Sequence, residues 1–179
     1  LKQKYAEFAS VAIILAVFVF WPGQSILASP ITPETVIELV NQSRLKENLA
    51  PLFENVKLAR AAEEKAQDMI DKNYFEHVSP QNTTPWFWIE KNNYDYKFAG
   101  ENLAMNFSDV ENEHKAWMKS PTHEKNILNA NFQEIGVAVK EGVISGRPTT
   151  IAVQMFGSRP DFVPSQVLGE EKSNLLKPN

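Results

Sequence analysis

Apolar residues recur at every third or fourth position through much of the chain, which is the period of an amphipathic helix. The first such stretch predicts a helix over roughly 33–47, where Thr32 and Pro33 supply an N-cap and a first-turn proline. The second predicts a helix over roughly 57–73 that ends near Asn73. The predicted buried face of the second helix is formed by Leu58, Ala61, Ala62, Lys65, Ala66, Met69 and Ile70.

Three shorter helices are predicted in the middle of the chain. Two of them begin with a Ser/Thr-Pro pair, in TPWFWIEKN at 84–92 and in SPTHEKNI at 120–127. Between them, Ser108 and Glu111 have the spacing of a capping box, which predicts a helix over roughly 109–119.

In the last third of the chain the apolar period changes to two, which predicts two strands. The alternation occurs in EIGVAV and again in TIAVQMF, and EGVISGRP between them has the turn residues of a hairpin. Helices followed by strands indicate the α+β class. Beyond Gly157 no period is visible, so residues 158–179 are predicted to form a flexible tail.

Composition narrows the functional classes. The chain has 179 residues, of which 43% are apolar, enough for one well-packed domain. Its net charge is −4 and it has no dense basic window, so nucleic acid is not a predicted partner. The absence of cysteine excludes disulfides, thiolate metal sites and a cysteine nucleophile, and it leaves the redox compartment open.

The N-terminal residues 1–29 predict a membrane segment. Two lysines precede an uncharged stretch from Phe8 to Ala28 that contains a very apolar core. An uncleaved membrane anchor, a hydrophobic helix, is the favoured interpretation, and a cleaved secretory signal is the alternative. Either one, with the lysines kept inside, places residues 30–179 on the outer face of the membrane, so the protein is predicted to be extracytoplasmic.

The three histidines differ in their surroundings. His114 shares a helical face with Val110 and Trp117, which favours a packed, hydrogen-bonded role. His77 follows the end of the second helix and lies in a loop, where functional side chains are often found. His123 lies near the N-terminus of a short helix, whose partial positive charge favours the neutral imidazole that a metal ligand or a general base requires.

Glu101, in AGENLAM, is a fourth candidate, and an ordinary surface charge is its competing interpretation. Spacing alone does not join it to the histidines. HEKNI at 123–127 lacks the second histidine of HExxH, so the helical zinc-protease motif is excluded.

Five blocks in order, FEHVSP, GENLA, WMKSPTHEKNIL, FQEIGVAV and IAVQMFG, resemble the CAP superfamily of cysteine-rich secretory, antigen 5 and pathogenesis-related proteins. The resemblance covers roughly Thr32 to Gly157 and defines a domain over 30–157. It implies a three-layer α-β-α sandwich with a central antiparallel sheet. It also implies an open cleft in which two histidines and acidic residues meet and can hold a divalent cation.

By position, His77 matches the first cleft histidine, Glu101 the first glutamate and His123 the second histidine. These three residues are the predicted ligand-binding set. They also form a predicted site for a divalent cation such as Zn²⁺. Binding is predicted to be weak, because three protein ligands are one fewer than a closed zinc site uses.

The family's second cleft glutamate is missing at its usual position. It normally lies three residues after a helix tryptophan, but here Trp117 is followed at that spacing by Ser120. Glu113 and Glu124 are the alternatives for its replacement. His114 matches no cleft position, in agreement with its predicted packing role.

The family has been linked to sterol or lipid binding, to cell-wall and defence roles and to peptidase activity. The favoured hypothesis is a non-enzymatic cell-envelope module that binds a small-molecule, lipid or envelope ligand through the cleft. One alternative is a metal-assisted hydrolase with Glu101 as base. The other is a structural or adhesive surface domain whose cleft is vestigial.

Overall fold

The computed structural model describes residues 28–160, and this part of the chain folds into five helices and one four-stranded sheet. The helices are α1 (Pro33–Lys46), α2 (Val56–Asp71), α3 (Pro85–Lys91), α4 (Val110–Lys119) and α5 (Pro121–Ile127). The strands are β1 (Phe53–Glu54), β2 (Phe98–Met105), β3 (Glu134–Ile144) and β4 (Arg147–Ser158).

The predicted N-terminal hydrophobic helix lies outside the described residues, except for its last residue, Ala28. Most of the predicted tail also lies outside them, although Ser158 belongs to β4 rather than to the tail. Within residues 28–160, no helix is both long enough and apolar enough to cross a membrane.

The sheet has the strand order β1-β3-β4-β2. β3 pairs with β4, and β4 with β2, in antiparallel register. β1 departs from the predicted antiparallel arrangement, because it pairs with β3 in parallel through two residues only. The predicted hairpin is confirmed as β3 and β4, whereas β1 and β2 were not predicted as strands. In β2, five consecutive residues from Gly100 to Ala104 are buried, so this strand lacks the alternation that marks a half-exposed strand.

Helices cover both faces of the sheet. Ile151, Val153 and Met155 of β4 face a core that includes the buried side of α2 and the Trp88 and Ile89 side chains of α3. Ala152 and Phe156 face the opposite way, into a second core with α1, α4 and α5. Because successive strand residues point to opposite faces, this alternation produces three layers, α-β-α.

The helix starts show which capping predictions were right. Thr32 caps α1 and forms a capping box with Thr35. The predicted cap of α4, Ser108, is wrong: the N-cap is Asp109, whose carboxylate accepts a hydrogen bond from the Asn112 N–H at 2.8 Å. Aspartate satisfies the free N–H groups of a first turn as well as serine does, so spacing alone did not separate the two.

Candidate functional site

His77 lies on the loop between α2 and α3. Asn73 has a left-handed backbone (φ 58°), which turns the chain away from the end of α2. The loop then brings His77 to the surface, where its side chain is 54% exposed. The exposed ring is therefore available to a ligand.

Glu101 lies on β2 directly behind this ring. The His77 Nδ1 atom and the Glu101 Oε1 atom are 2.6 Å apart, and the glutamate side chain is only 2% exposed. Burial raises the pKa of Glu101 above its ordinary value, and the hydrogen bond from His77 and the charge of Lys65 offset part of this rise. The second oxygen, Oε2, is buried and has no hydrogen-bond partner among the described residues. A buried carboxylate thus holds a surface imidazole in one orientation.

A groove of about 330 Å³ opens beside this pair. Val78, Pro85, Trp86 and Ala99 form its apolar wall. Its polar lining consists of His77, Thr84, Glu101 and Asn126. An apolar surface with a few convergent polar groups is the usual composition of a small-molecule site.

His123 lies on α5, which side-chain amides attach to β2. Asn126 donates to the Glu101 carbonyl at 3.0 Å and to the Asn102 Oδ1 atom at 2.9 Å, and Asn102 donates to the His123 carbonyl at 3.2 Å. Burial, and in second place the charge of His77, lowers the pKa of His123. Its Nδ1 atom is buried without a hydrogen-bond partner among the described residues. His123 thus stands near the pair, although it does not line the groove.

His114 stands apart from the groove, as its helical phase predicts. Its ring is half-buried, and its Nε2 atom lies 2.7 Å from the Ser43 hydroxyl of α1. Burial lowers the pKa of His114 to about 4, so the ring is neutral at pH 7. This histidine joins α4 to α1.

The predicted cation site consists of His77, Glu101 and His123. Among residues 28–160, no group of three or more His, Asp or Glu side chains is arranged to hold a metal ion. Glu113 and Glu124, the alternatives for the second cleft glutamate, therefore do not complete such a group with His77 and Glu101. Weak cation binding by His77, Glu101 and His123 stays a prediction.

Three site residues were not predicted as such. Trp86 and Asn126 line the groove, and Lys65 is buried beneath the His77 loop. Lys65 did leave a signal in the sequence, because it occupies the apolar face of α2 among alanines and methionine. The position of Trp86 depends on how α3 docks onto α2, and that of Asn126 on how α5 docks onto β2, which no local pattern indicates.

With this fold and site, the chain matches the profile of the cysteine-rich secretory protein (CAP) family over residues 37–156. It belongs to that family, as the sequence blocks indicated. "Uncharacterized protein YkwD" of Bacillus subtilis (strain 168) is 46% identical over 106 residues, which are 59% of this chain and 41% of that protein. "Uncharacterized membrane protein YlbC" of the same strain is 34% identical over 104 residues, 58% of this chain and 30% of that protein.

A solved structure is also similar, that of an extracellular protein containing an SCP domain from Bacillus anthracis str. Ames. It is 29% identical with a TM-score of 0.62, and the match covers 74% of this chain and 45% of that one. The chain thus spans less than half the length of each of these three proteins.

Proposed function

We propose that this protein is an extracytoplasmic CAP-domain module that binds a small ligand of the cell envelope through the groove beside His77. Binding without catalysis is the activity proposed. The observation that carries this proposal is the His77–Glu101 pair, in which a buried carboxylate orients a half-exposed imidazole at the mouth of a partly apolar groove.

The pair defines which ligand chemistry fits. When Glu101 is ionised it can only accept a hydrogen bond, and His77 Nδ1 then donates to it. In the neutral imidazole, the Nε2 atom is then a hydrogen-bond acceptor. Beside it, the indole of Trp86, which is 38% exposed, and Val78 offer apolar contact. We therefore infer a ligand with a hydrogen-bond donor attached to an apolar or stackable body.

Two relatives support the proposed location outside the cytoplasm. One is named a membrane protein and another is described as extracellular. The apolar stretch from Phe8 to Ala28 adds the favoured means of attachment, an uncleaved anchor. His77 and Glu101 of the groove, together with His123, also form the predicted weak site for a divalent cation such as Zn²⁺.

A chemical-shift titration of the full chain in detergent micelles tests the proposal, with the histidine and tryptophan side chains labelled with nitrogen-15. The probes are soluble peptidoglycan fragments, a short-chain phosphatidylglycerol and Zn²⁺, each added separately. We expect one organic probe to shift the Trp86 indole and the His77 ring, while Trp117 and His114 stay unchanged.

Two variants show whether the shifts report on the groove. His77→Ala removes one hydrogen bond to the ligand and should weaken binding of that probe about tenfold. His114→Ala, outside the groove, should leave the affinity unchanged. If neither organic probe shifts these signals, or if His77→Ala binds as tightly as the wild type, the proposal is wrong. Breakdown of the bound probe would instead favour the hydrolase alternative.

A further inference from the structure

Lys65 is a fully buried lysine on the face of α2 that packs against the sheet. Its exposed fraction is 0%, and Ala61, Ala62 and Met69 of the same helix face are buried with it. An ammonium group removed from water costs several kcal/mol unless each of its three N–H donors finds an acceptor. The partners of Lys65 therefore indicate what this charge does.

All three acceptors lie on the segment that leads to His77. The Nζ atom is 3.1 Å from the Tyr74 hydroxyl, 2.8 Å from the Glu76 carbonyl and 2.9 Å from the His77 carbonyl. Tyr74 uses its own proton to bind Asp68 on α2 at 2.7 Å, so its oxygen is free to accept from Lys65. The ammonium thus joins the loop to the helix beneath it.

The charge of Lys65 also faces the carboxylate of the pair. Burial lowers the pKa of Lys65, and the negative charge of Glu101 is the largest of the effects that oppose this. In return, Lys65 lowers the pKa of Glu101. Among the described residues, Lys65 is therefore both the anchor of the His77 backbone and a counter-charge to Glu101.

We propose that Lys65 is a positioning residue of the groove. Its three hydrogen bonds hold the loop in the position in which the His77 ring contacts Glu101. The significance of this role for ligand binding rests on the proposed function. The role itself is a property of the unliganded protein. Without the ammonium, the carbonyls of Glu76 and His77 lose their donor. The bond from the Tyr74 hydroxyl to Asp68 of α2 would remain, but it lies three residues before His77 and does not reach its backbone.

The nitrogen-15 spectrum of the His77 ring in the full chain, without ligand, tests this role. At a pH at which the imidazole is neutral, the wild-type Nδ1 atom should give the signal of a protonated nitrogen and Nε2 that of an unprotonated one. Lys65→Met should average the two signals as the ring leaves Glu101 and both tautomers become populated. A Lys65→Met protein that keeps the wild-type His77 signals would overturn the proposal.

The matched control is Lys57→Met on the same helix. Lys57 also donates to a backbone carbonyl, that of Asn93 at 2.7 Å, but it does not contact the His77 loop. This variant should keep the wild-type signals of His77. If it changes them as much as Lys65→Met does, a general loss of order explains the effect and the proposal is wrong.

If Lys65→Met does not fold, Lys65→Gln replaces it as the test variant. The amide keeps two N–H donors but has no charge and a shorter reach, so it should restore only part of the Nδ1-protonated signal. A fully wild-type His77 spectrum in Lys65→Gln would also overturn the proposal. Because no ligand is added, a groove that binds none of the probes refutes the proposed function and leaves this result untouched.

Discussion

The carboxyl group of Glu113 shows how far a single residue can depart from its ordinary chemistry in this domain. Its side chain is buried on α4, and its Oε1 atom has no hydrogen-bond partner among the described residues. Burial raises the pKa of Glu113 to about 8, so the group is mostly protonated at pH 7. A neutral buried acid is a poor replacement for an anionic cleft glutamate.

Glu113→Gln should therefore stabilise the protein in a pH-dependent way. The pKa of Glu113 is raised on folding. The contribution of this group to the free energy of unfolding is therefore fully present below about pH 4.5 and is lost as pH rises towards 8. The glutamine variant lacks this loss. Its free energy of unfolding should therefore rise by about 3 kcal/mol relative to that of the wild type between pH 4 and pH 7. Urea unfolding at several pH values measures the difference.

The control for this prediction is Glu111→Gln on the same helix. A hydrogen bond from Ser29 lowers the pKa of Glu111, so this variant should show no gain as pH rises. A pH-independent effect of Glu113→Gln would mean that folding does not shift the pKa of Glu113, and it would contradict the prediction.

At the scale of elements, the close crossing of α2 over β3 decides where Lys65 lies. Gly136 on β3 permits this approach, because a Cβ atom there would overlap the backbone of Leu58 and Ala59. The sheet thus meets the first turn of α2 at backbone contact. Lys65 lies further along the same helix, where its side chain reaches the His77 loop.

Gly136→Ala should destabilise the domain by about 3 kcal/mol or more, because a methyl group must push helix and strand apart. Gly146→Ala is the comparison: that glycine has φ +75° but open space around it, so only backbone strain of about 1 kcal/mol is expected. Chemical denaturation of both variants checks this. Equal losses would show that the crossing can relax.

At the scale of the whole molecule, the predicted anchor would enter the domain beside α4, where the Ser29 carbonyl accepts from the Val110 N–H at 3.2 Å. We expect the full chain to stay with membranes through high-salt and carbonate washes, because the stretch from Phe8 to Ala28 is uncharged and apolar. Protease added from outside should cleave the domain.

A chain lacking residues 1–27 is the control and should leave the membrane fraction. A shorter product in the medium that begins near Ser29 or Pro30 would support the cleaved-signal alternative. Retention of the domain inside protease-treated cells would contradict the proposed location.

The site was only partly visible in the sequence. His77 and Glu101 are 24 positions apart, and no spacing rule joins a loop to a strand that periodicity did not reveal. The family blocks selected both residues, and the structure brings them into contact. The same blocks grouped His123 with them, whereas the docking of α5 leaves it beside the groove rather than in its lining.

The sequence by itself determined the five helices and the β3–β4 hairpin, because local periodicity, proline positions and turn residues act over a few neighbours. Only the tertiary structure decided that β2 is a strand and that Lys65 supports the His77 loop. Both depend on contacts between segments distant in the chain. Burial by those contacts also sets the pKa values of Glu101 and Glu113, which the bare sequence leaves at their ordinary values.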